Sequence, residues 1–360
     1  MIWMRWPQHE LHSLQFMRIL QFAEAGASTV RECCLAADQI RPGDGDSWYR
    51  AWKRLADENR SGAELVLGQG HAGLAQNMFL RAGAYYRSAE VFLADSDERR
   101  TPVLDAMQNC SHRYLGGLDP SGEVVEIPCA HVSAYFVPGA TRGRKRPVMI
   151  CVNGEGEPKD DHLYRIAARA RSRGLSLLLV DLPGQRTNAR RGRSSDRHEV
   201  EVAISACVDY LLARGDVDGK RIAIYGDGAG ASYAARAASL DHRFAAAVCD
   251  GGLFDSSYGR SLLGSFAGQR EQCGSPDPGC RYEIARNIAC PFLITINCDC
   301  LPDMEAVPKL FDYCRSSGIR ADLEPSLLRP DRSLPGRQIW IEPDRDFIFD
   351  WITVKMEERR

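Results

Sequence analysis

No apolar run in this chain approaches the roughly 20 residues that a membrane-spanning helix needs. Net charge is nearly absent too: 46 Lys and Arg face 48 Asp and Glu across 360 residues, so nothing in the overall balance points to nucleic acid. A zinc signature is missing, because Cys298-Asp299-Cys300 and the adjacent Cys33-Cys34 do not form two C-x-x-C pairs. The first residues, MIWMRWPQHELH, place polar side chains where a signal peptide needs its apolar stretch. These absences set the expectations of a cytoplasmic protein with no metal, no cofactor, no nucleic-acid partner and no membrane partner. A small-molecule substrate is the expected partner, and a homodimer is left open.

What is present is ordinary in bulk and unusual in detail. Hydrophobic residues make up 44% and charged residues 26%, a globular composition, and the length allows one large core or two. Thirteen cysteines is a high and odd count, which argues against a disulfide framework. Cys151, Cys207 and Cys249 lie in apolar surroundings and are expected to be buried free thiols.

Residues 14–115 read as helical, with no β signal. Leu14–Ala25 is periodic, and Asp46-Ser47 is expected to cap a helix that carries Trp48 and Trp52 one turn apart on one face. Leu74–Leu93 is amphipathic and holds Phe79, Tyr85, Tyr86 and Phe92. Tyr85 and Tyr86 are candidates to line a substrate cavity, with helix packing as the alternative. Near Gly116 the character changes. Gly122–Ile127 and His131–Val137 alternate as short strands, and the basic turn TRGRKRP follows. From Val148 onward buried strands (Val148–Val152, Ser176–Asp181, Arg221–Tyr225, Phe244–Cys249, Phe292–Asn297) alternate with helices (Asp161–Arg173, Val200–Arg214, Ala231–Ser239, Met304–Ser317, Arg345–Glu358). Such alternation predicts an α/β fold: a mostly parallel, doubly wound sheet covered on both faces, with ligands at the carboxyl ends of its strands.

The densest signal is Arg221–Ser232, RIAIYGDGAGAS. An apolar strand runs into a glycine-rich turn and out into an alanine-rich helix, the context of the nucleophile elbow G-x-S-x-G. The frame is intact as Gly226-Asp227-Gly228-Ala229-Gly230, but Gly228 stands where the serine belongs.

Several further stretches resemble one family: WYRAWKRLADE, FLRAGAYYRSAEVFL, EIPCAHVSAYFVPG, MICVNGEGEPKDD, DLPGQ, VDYLLARGDVDGKRIAIYGDGAGASYAARAA and DFIFDWI. In their order and spacing the chain resembles the FrsA-like α/β-hydrolases with an N-terminal helical cap. That group includes 2,6-dihydroxypseudooxynicotine hydrolase and the fungal pigment hydrolases that shorten polyketides. The resemblance implies an α/β-hydrolase fold, with residues 1–115 as helical cap and 116–360 as core. It also implies cleavage of carbon–carbon or acyl bonds in small molecules by Ser, His and Asp. The serine position is Gly228. Asp299 or Asp303 matches the acid. The loop expected to hold the histidine, LLRPDRSLPGRQIWIEP, has none, and no histidine follows His242. Loss of two triad members reads as chemistry replaced or abandoned.

Backbone donors survive such losses. Ala229 is expected to supply one oxyanion N–H, and Gly154 or Glu155 the other. Catalytic candidates near the vacant position are Asp227 as a base and Glu155 as base or substrate anchor, each with a solvated or misdirected carboxylate as the alternative. Asp250 lies at the expected pocket edge, and Cys249 beside it is a nucleophile only if exposed and activated. His162 and His198 replace the lost base if they turn inward, and otherwise face solvent or cap a helix. Arg186 opens an arginine-rich loop that suits a carboxylate or phosphate, or is simply solvated. Three readings stand together: a non-serine cyclase, lyase or atypical hydrolase acting on an aromatic or polyketide-like metabolite; a silent small-molecule-binding protein; and a serine hydrolase whose nucleophile was removed.

Overall fold

The computed structural model describes residues 5–127, 132–141, 145–154, 157–183, 197–228, 230–250, 278–295, 306–323 and 345–359. They fall into two compact units, one made of Trp3–Glu123 with Asp160–Ala168, the other of Val124–Lys159 and Arg169–Arg360.

The first unit is helical: α1 Glu10–Gln21, α2 Val30–Ala37, α3 Gly45–Gly68, α4 Ala72–Glu90 and α5 Arg100–Gly116, joined by α6 Asp160–Arg165 from later in the chain. Helix α3 packs on α4, and α4 on α5. Trp48 and Trp52 share one face of α3 as expected, both fully buried with ring centroids 5.7 Å apart. The cap of α3 differs from expectation. Asp44 is the N-cap and accepts from the amides of Asp46 and Ser47, while the Ser47 hydroxyl donates to the carbonyls of Arg41 and Asp44. The turn Arg41–Asp44 brings the Asp44 carboxylate over two unpaired first-turn amides, so the helix starts at Gly45, three residues before Trp48.

The second unit is an eight-stranded sheet: β1 Glu123–Ile127, β2 Val132–Val137, β3 Arg146–Val152, β4 Ser176–Asp181, β5 Val217–Asp227, β6 Ala246–Asp250, β7 Phe292–Thr295 and β8 Ala321–Leu323. The spatial order is β1-β2-β4-β3-β5-β6-β7-β8. β2 runs antiparallel to β4, and β4, β3, β5, β6, β7 and β8 are mutually parallel. Its flanking helices are α7 Ala167–Ser172, α8 Arg197–Leu212, α9 Gly230–Leu240, α10 Pro278–Asn287, α11 Ala306–Ser316 and α12 Arg345–Glu357. Val148, Ile150 and Val152 join the core with α8 and α9, while Met149 and Cys151, which point to the other face, are equally buried. Burial of both alternating sets is the mark of a sheet covered on both sides.

The expected strands and helices appear, with three differences. The single helix expected over Asp161–Arg173 is two short ones, α6 and α7. Helix α10 and strand β8 lacked a readable pattern: PGCRYEIARN carries few apolar residues, and three strand residues are too few to show alternation. Cys151, Cys207 and Cys249 are buried free thiols. Among the described residues no helix is long and apolar enough to cross a membrane.

Candidate active site

The elbow is formed by the junction of β5 and α9. β5 ends at Asp227, Gly228 turns the chain at φ +54°, and α9 begins at Gly230. Two of the glycines are required by close approach. A Cβ on Gly226 would overlap the Gly230 carbonyl, and one on Gly230 would overlap the Val152 carbonyl at the end of β3. Gly228 differs: among the described residues an added Cβ would meet nothing within 4 Å. The turn thus has the left-handed backbone that a nucleophile elbow uses, with glycine at its tip.

Polar residues gather at the carboxyl ends of the central strands, above apolar strand bodies. Register pairs Asp227 with Asp250, and Asp250 with Thr295, across β5, β6 and β7. The Asp250 carboxylate accepts from the Tyr225 hydroxyl at 2.7 Å and from the Thr295 hydroxyl. The Asp250 carbonyl accepts the Gly228 amide at 2.7 Å, so one residue braces both the elbow and the strand ends. Asp227 and Asp250 are both buried. Tyr225 and Thr295 were not singled out from sequence. Inside an apolar strand they look like ordinary β formers, and only the register places their hydroxyls on Asp250.

The loop after β3 is anchored at both ends. Asn153, fully buried, donates through Nδ2 to the Pro158 carbonyl at 2.8 Å, and the Glu157 amide donates to the Gly154 carbonyl at 3.3 Å. At the far end Asp181, the last residue of β4, accepts from the Lys159 amide at 2.7 Å and from Lys159 Nζ at 2.6 Å. The Lys159 ammonium also lies 4.5 Å from the Tyr135 ring centroid. This ion pair is withdrawn from solvent, with Lys159 at 2% and Asp181 at 0% exposure. Gly154, an expected oxyanion donor, sits in the described part of this loop.

The remaining candidates divide. Glu155, Ala229, Arg186, Asp299 and Asp303 lie outside the described residues, and for His198 the structure describes the backbone within α8 but not the side chain. His162 is fully buried in α6 within the helical unit, which overturns the solvent-facing alternative and leaves no exposed ring atom for a substrate. Tyr85 and Tyr86 are also packed inside that unit rather than lining an open cavity. The Tyr85 hydroxyl donates to Glu32 Oε2 at 2.8 Å and accepts the Thr29 amide, and its ring stacks on Trp52. The Tyr86 hydroxyl donates to Asp57 Oδ1 at 2.6 Å. Burial pushes both phenols up, and the adjacent carboxylates add to the effect. Cys249 is fully buried, and burial raises its thiol well above the usual range, the opposite of an activated nucleophile.

A buried ionic network in the helical unit was invisible from sequence. Arg87 donates to both oxygens of Asp161 and to Glu90, Arg18 reaches Asp161 at 2.9 Å, and Arg100 reaches Glu90 at 2.8 Å. Burial alone would push the Asp161 carboxyl up, but the guanidiniums of Arg87, Arg18 and Arg165 hold it below the ordinary range. Beside it Ser111 donates to Asp160 Oδ1 and lies 2.8 Å from the Tyr164 hydroxyl.

No protein-family model matches the chain. It is 30% identical over 265 residues to the hydrolyase poxO of Penicillium oxalicum, covering 70% of this chain and 62% of that protein. It is 29% identical over 259 residues to 20-hydroxy-prefusarin hydrolase FUS2 of Gibberella moniliformis, covering 68% of this chain and 61% of that one. The chain therefore spans less than two thirds of the length of these relatives. Among solved structures, that of 2,6-dihydroxy-pseudo-oxynicotine hydrolase superposes with a TM-score of 0.68 at 17% identity, covering 94% of this chain and 95% of that one. At that identity the superposition speaks for the fold.

Proposed function

The chain is an α/β-hydrolase-fold homologue of these fungal hydrolases, and from that premise we propose an enzyme that transforms a small aromatic or polyketide-like metabolite without a covalent serine intermediate. The observation that carries this reading is Gly228: a left-handed residue whose tip meets no described residue, between two glycines that packing requires. Such a turn keeps its geometry and offers no hydroxyl. Its expected general base is missing as well, since no histidine follows His242.

Orientation, proton transfer and oxyanion stabilisation are the tools that remain. In this reading the amides of Ala229 and of Gly154 or Glu155 receive developing negative charge. Asp227, Asp250 or Glu155 moves the proton, and the helical unit serves as the cap that selects substrate. The Penicillium oxalicum relative is a hydrolyase by name, so loss or addition of water is the first reaction class to examine.

The test pairs a chemical probe with a substrate screen. A fluorophosphonate probe is expected to leave the protein unlabelled, and Gly228→Ser is expected to gain no ester hydrolysis, because no base is placed to activate the new hydroxyl. Mass spectrometry of hydroxylated aromatic and polyketide lactones is expected to show loss or gain of water. Rapid fluorophosphonate labelling of the unaltered protein would sink the proposal. A second reading, a silent binding protein, is favoured by the same pair of missing side chains; saturable ligand binding without turnover across the screen would select it.

A further inference from the structure

The basic turn before β3 plays no part in the site described above, and it leads to a different feature. Lys145, Arg146, Arg173 and Arg221 line one depression of about 240 Å3 on the sheet unit. Its place is the amino edge of the parallel strands. Arg146 opens β3, Gly174-Leu175 lead into β4, and Arg221 directly precedes Ile222, which pairs with Val148 of β3. The elbow lies at the other end of the same strands, on the order of 20 Å away for a seven-residue strand.

We propose that this depression binds a phosphate-type dianion. Three cations keep donors to spare. Arg146 donates through Nε to the Thr141 carbonyl at 2.7 Å, and its Nη1 is 3.7 Å from Asp216. Arg221 donates through Nε to Asp218 at 2.7 Å and through Nη2 to the Lys145 carbonyl at 3.4 Å, which leaves Nη1 without a partner among the described residues. Among the described residues no partner engages the Lys145 ammonium. Arg173 is committed, to Asp346 and Asp350.

The carboxylates that pair with these arginines are the more exposed partners. Asp216 is 40% exposed against 11% for Arg146, and Asp218 27% against 11% for Arg221. Solvent screens the acids more than the guanidiniums, and the floor of buried Leu175 and Met356 lets the positive field reach into the depression. Among the described lining residues Glu357 is the one carboxylate against Lys145, Arg146, Arg173 and Arg221, so that lining carries an excess of positive charge. Donors that arrive from separate strands suit the several oxygens of a tetrahedral anion better than a flat carboxylate. The volume exceeds that of orthophosphate, which leaves room for the organic part of a phosphomonoester.

Isothermal titration of the full chain at constant ionic strength tests this, with inorganic phosphate, glycerol 3-phosphate and acetate as probes. Saturable binding of phosphate is expected, on the order of tenfold tighter than acetate, weakened about fivefold by Lys145→Met and by Arg221→Met and tightened by Glu357→Gln. Lys145 is exposed, so its variant reports on binding even if Arg221→Met disturbs the pairing with Asp218. Glycerol 3-phosphate binding more tightly than phosphate marks a phosphomonoester site, and equal binding marks an orthophosphate site. No saturable phosphate binding, phosphate no tighter than acetate, or unchanged affinity in Lys145→Met overturns the proposal.

Discussion

Lys159 and Asp181 show what a single buried pair does at the site. Taking both charges out of water is costly, and two apolar side chains of similar size would hold the loop about as well. The pair is satisfied because Asp181 spends one oxygen on the Lys159 amide and the other on its ammonium. Removing one partner leaves the other charged and buried. Lys159→Met is therefore expected to lower stability by about 3–5 kcal/mol in urea unfolding, and the double change Lys159→Met with Asp181→Leu to recover most of that loss. A double variant no more stable than the single one would show that the lysine acts through its packing on Tyr135 instead. Tyr85 teaches the converse lesson. Its aromatic neighbourhood suggests a ligand surface, but its hydroxyl closes the capping arrangement of α2, where Thr29 accepts the Glu32 amide.

At the scale of elements, the β5–α9 turn is held by close packing on β3 and by the Gly228 amide on the Asp250 carbonyl. Its glycines are not equivalent. Gly228→Ala places a methyl where no described residue stands and is expected to incur the left-handed backbone penalty, about 1–2 kcal/mol. Gly230→Ala drives a methyl into the backbone of Val152 and Asn153 and is expected to cost clearly more, with poor folding as the extreme. Urea unfolding of the two variants side by side checks the order. A larger loss for Gly228→Ala would mean that the tip of the turn is filled.

For the whole molecule, the charged groups set an acid limit. Asp161 is held low by Arg87, Arg18 and Arg165 against burial, Asp216 chiefly by its bonds from Arg214, and Asp241 by Arg243 against burial. A carboxyl whose folded pKa lies below its unfolded value stabilises the fold above the unfolded value, about 3.9 for Asp, and that stability is lost as pH falls through the folded value. His12 acts earlier. Burial, then the nearby His9, lowers its imidazole below the usual 6.5, although a backbone hydrogen bond involving Asp44 and the Asp44 carboxylate favour the proton. The unfolded chain thus takes up a proton at His12 that the folded chain resists, and stability declines from about pH 6.5 downward. Thermal unfolding followed by circular dichroism from pH 7 to 3 is expected to show a shallow decline below about 6.5 and a steep one below about 4. His12→Phe, stacked on Phe92, should remove the first and spare the second. A decline that begins only near pH 4 in the unaltered protein would remove His12 from the account.

The fold was largely written in the chain itself. Period-2 and period-3.6 patterns are local, so the alternating strands and helices, both buried faces of the sheet and the glycine frame of the elbow could be read within a few residues of each other. Gly228 was legible for the same reason: a motif of fixed spacing shows its own missing member. What tertiary structure alone decided was which polar groups meet. Arg87 and Asp161 are 74 residues apart, Arg18 and Asp161 143, and Lys159 and Asp181 22, and no spacing rule connects them. His162, Tyr85 and Tyr86 were ambiguous in sequence because an imidazole or phenol on an amphipathic helix suits a core or a pocket equally well. The structure buries all three, and the two phenols meet carboxylates that sequence could not place beside them, Glu32 for Tyr85 and Asp57 for Tyr86.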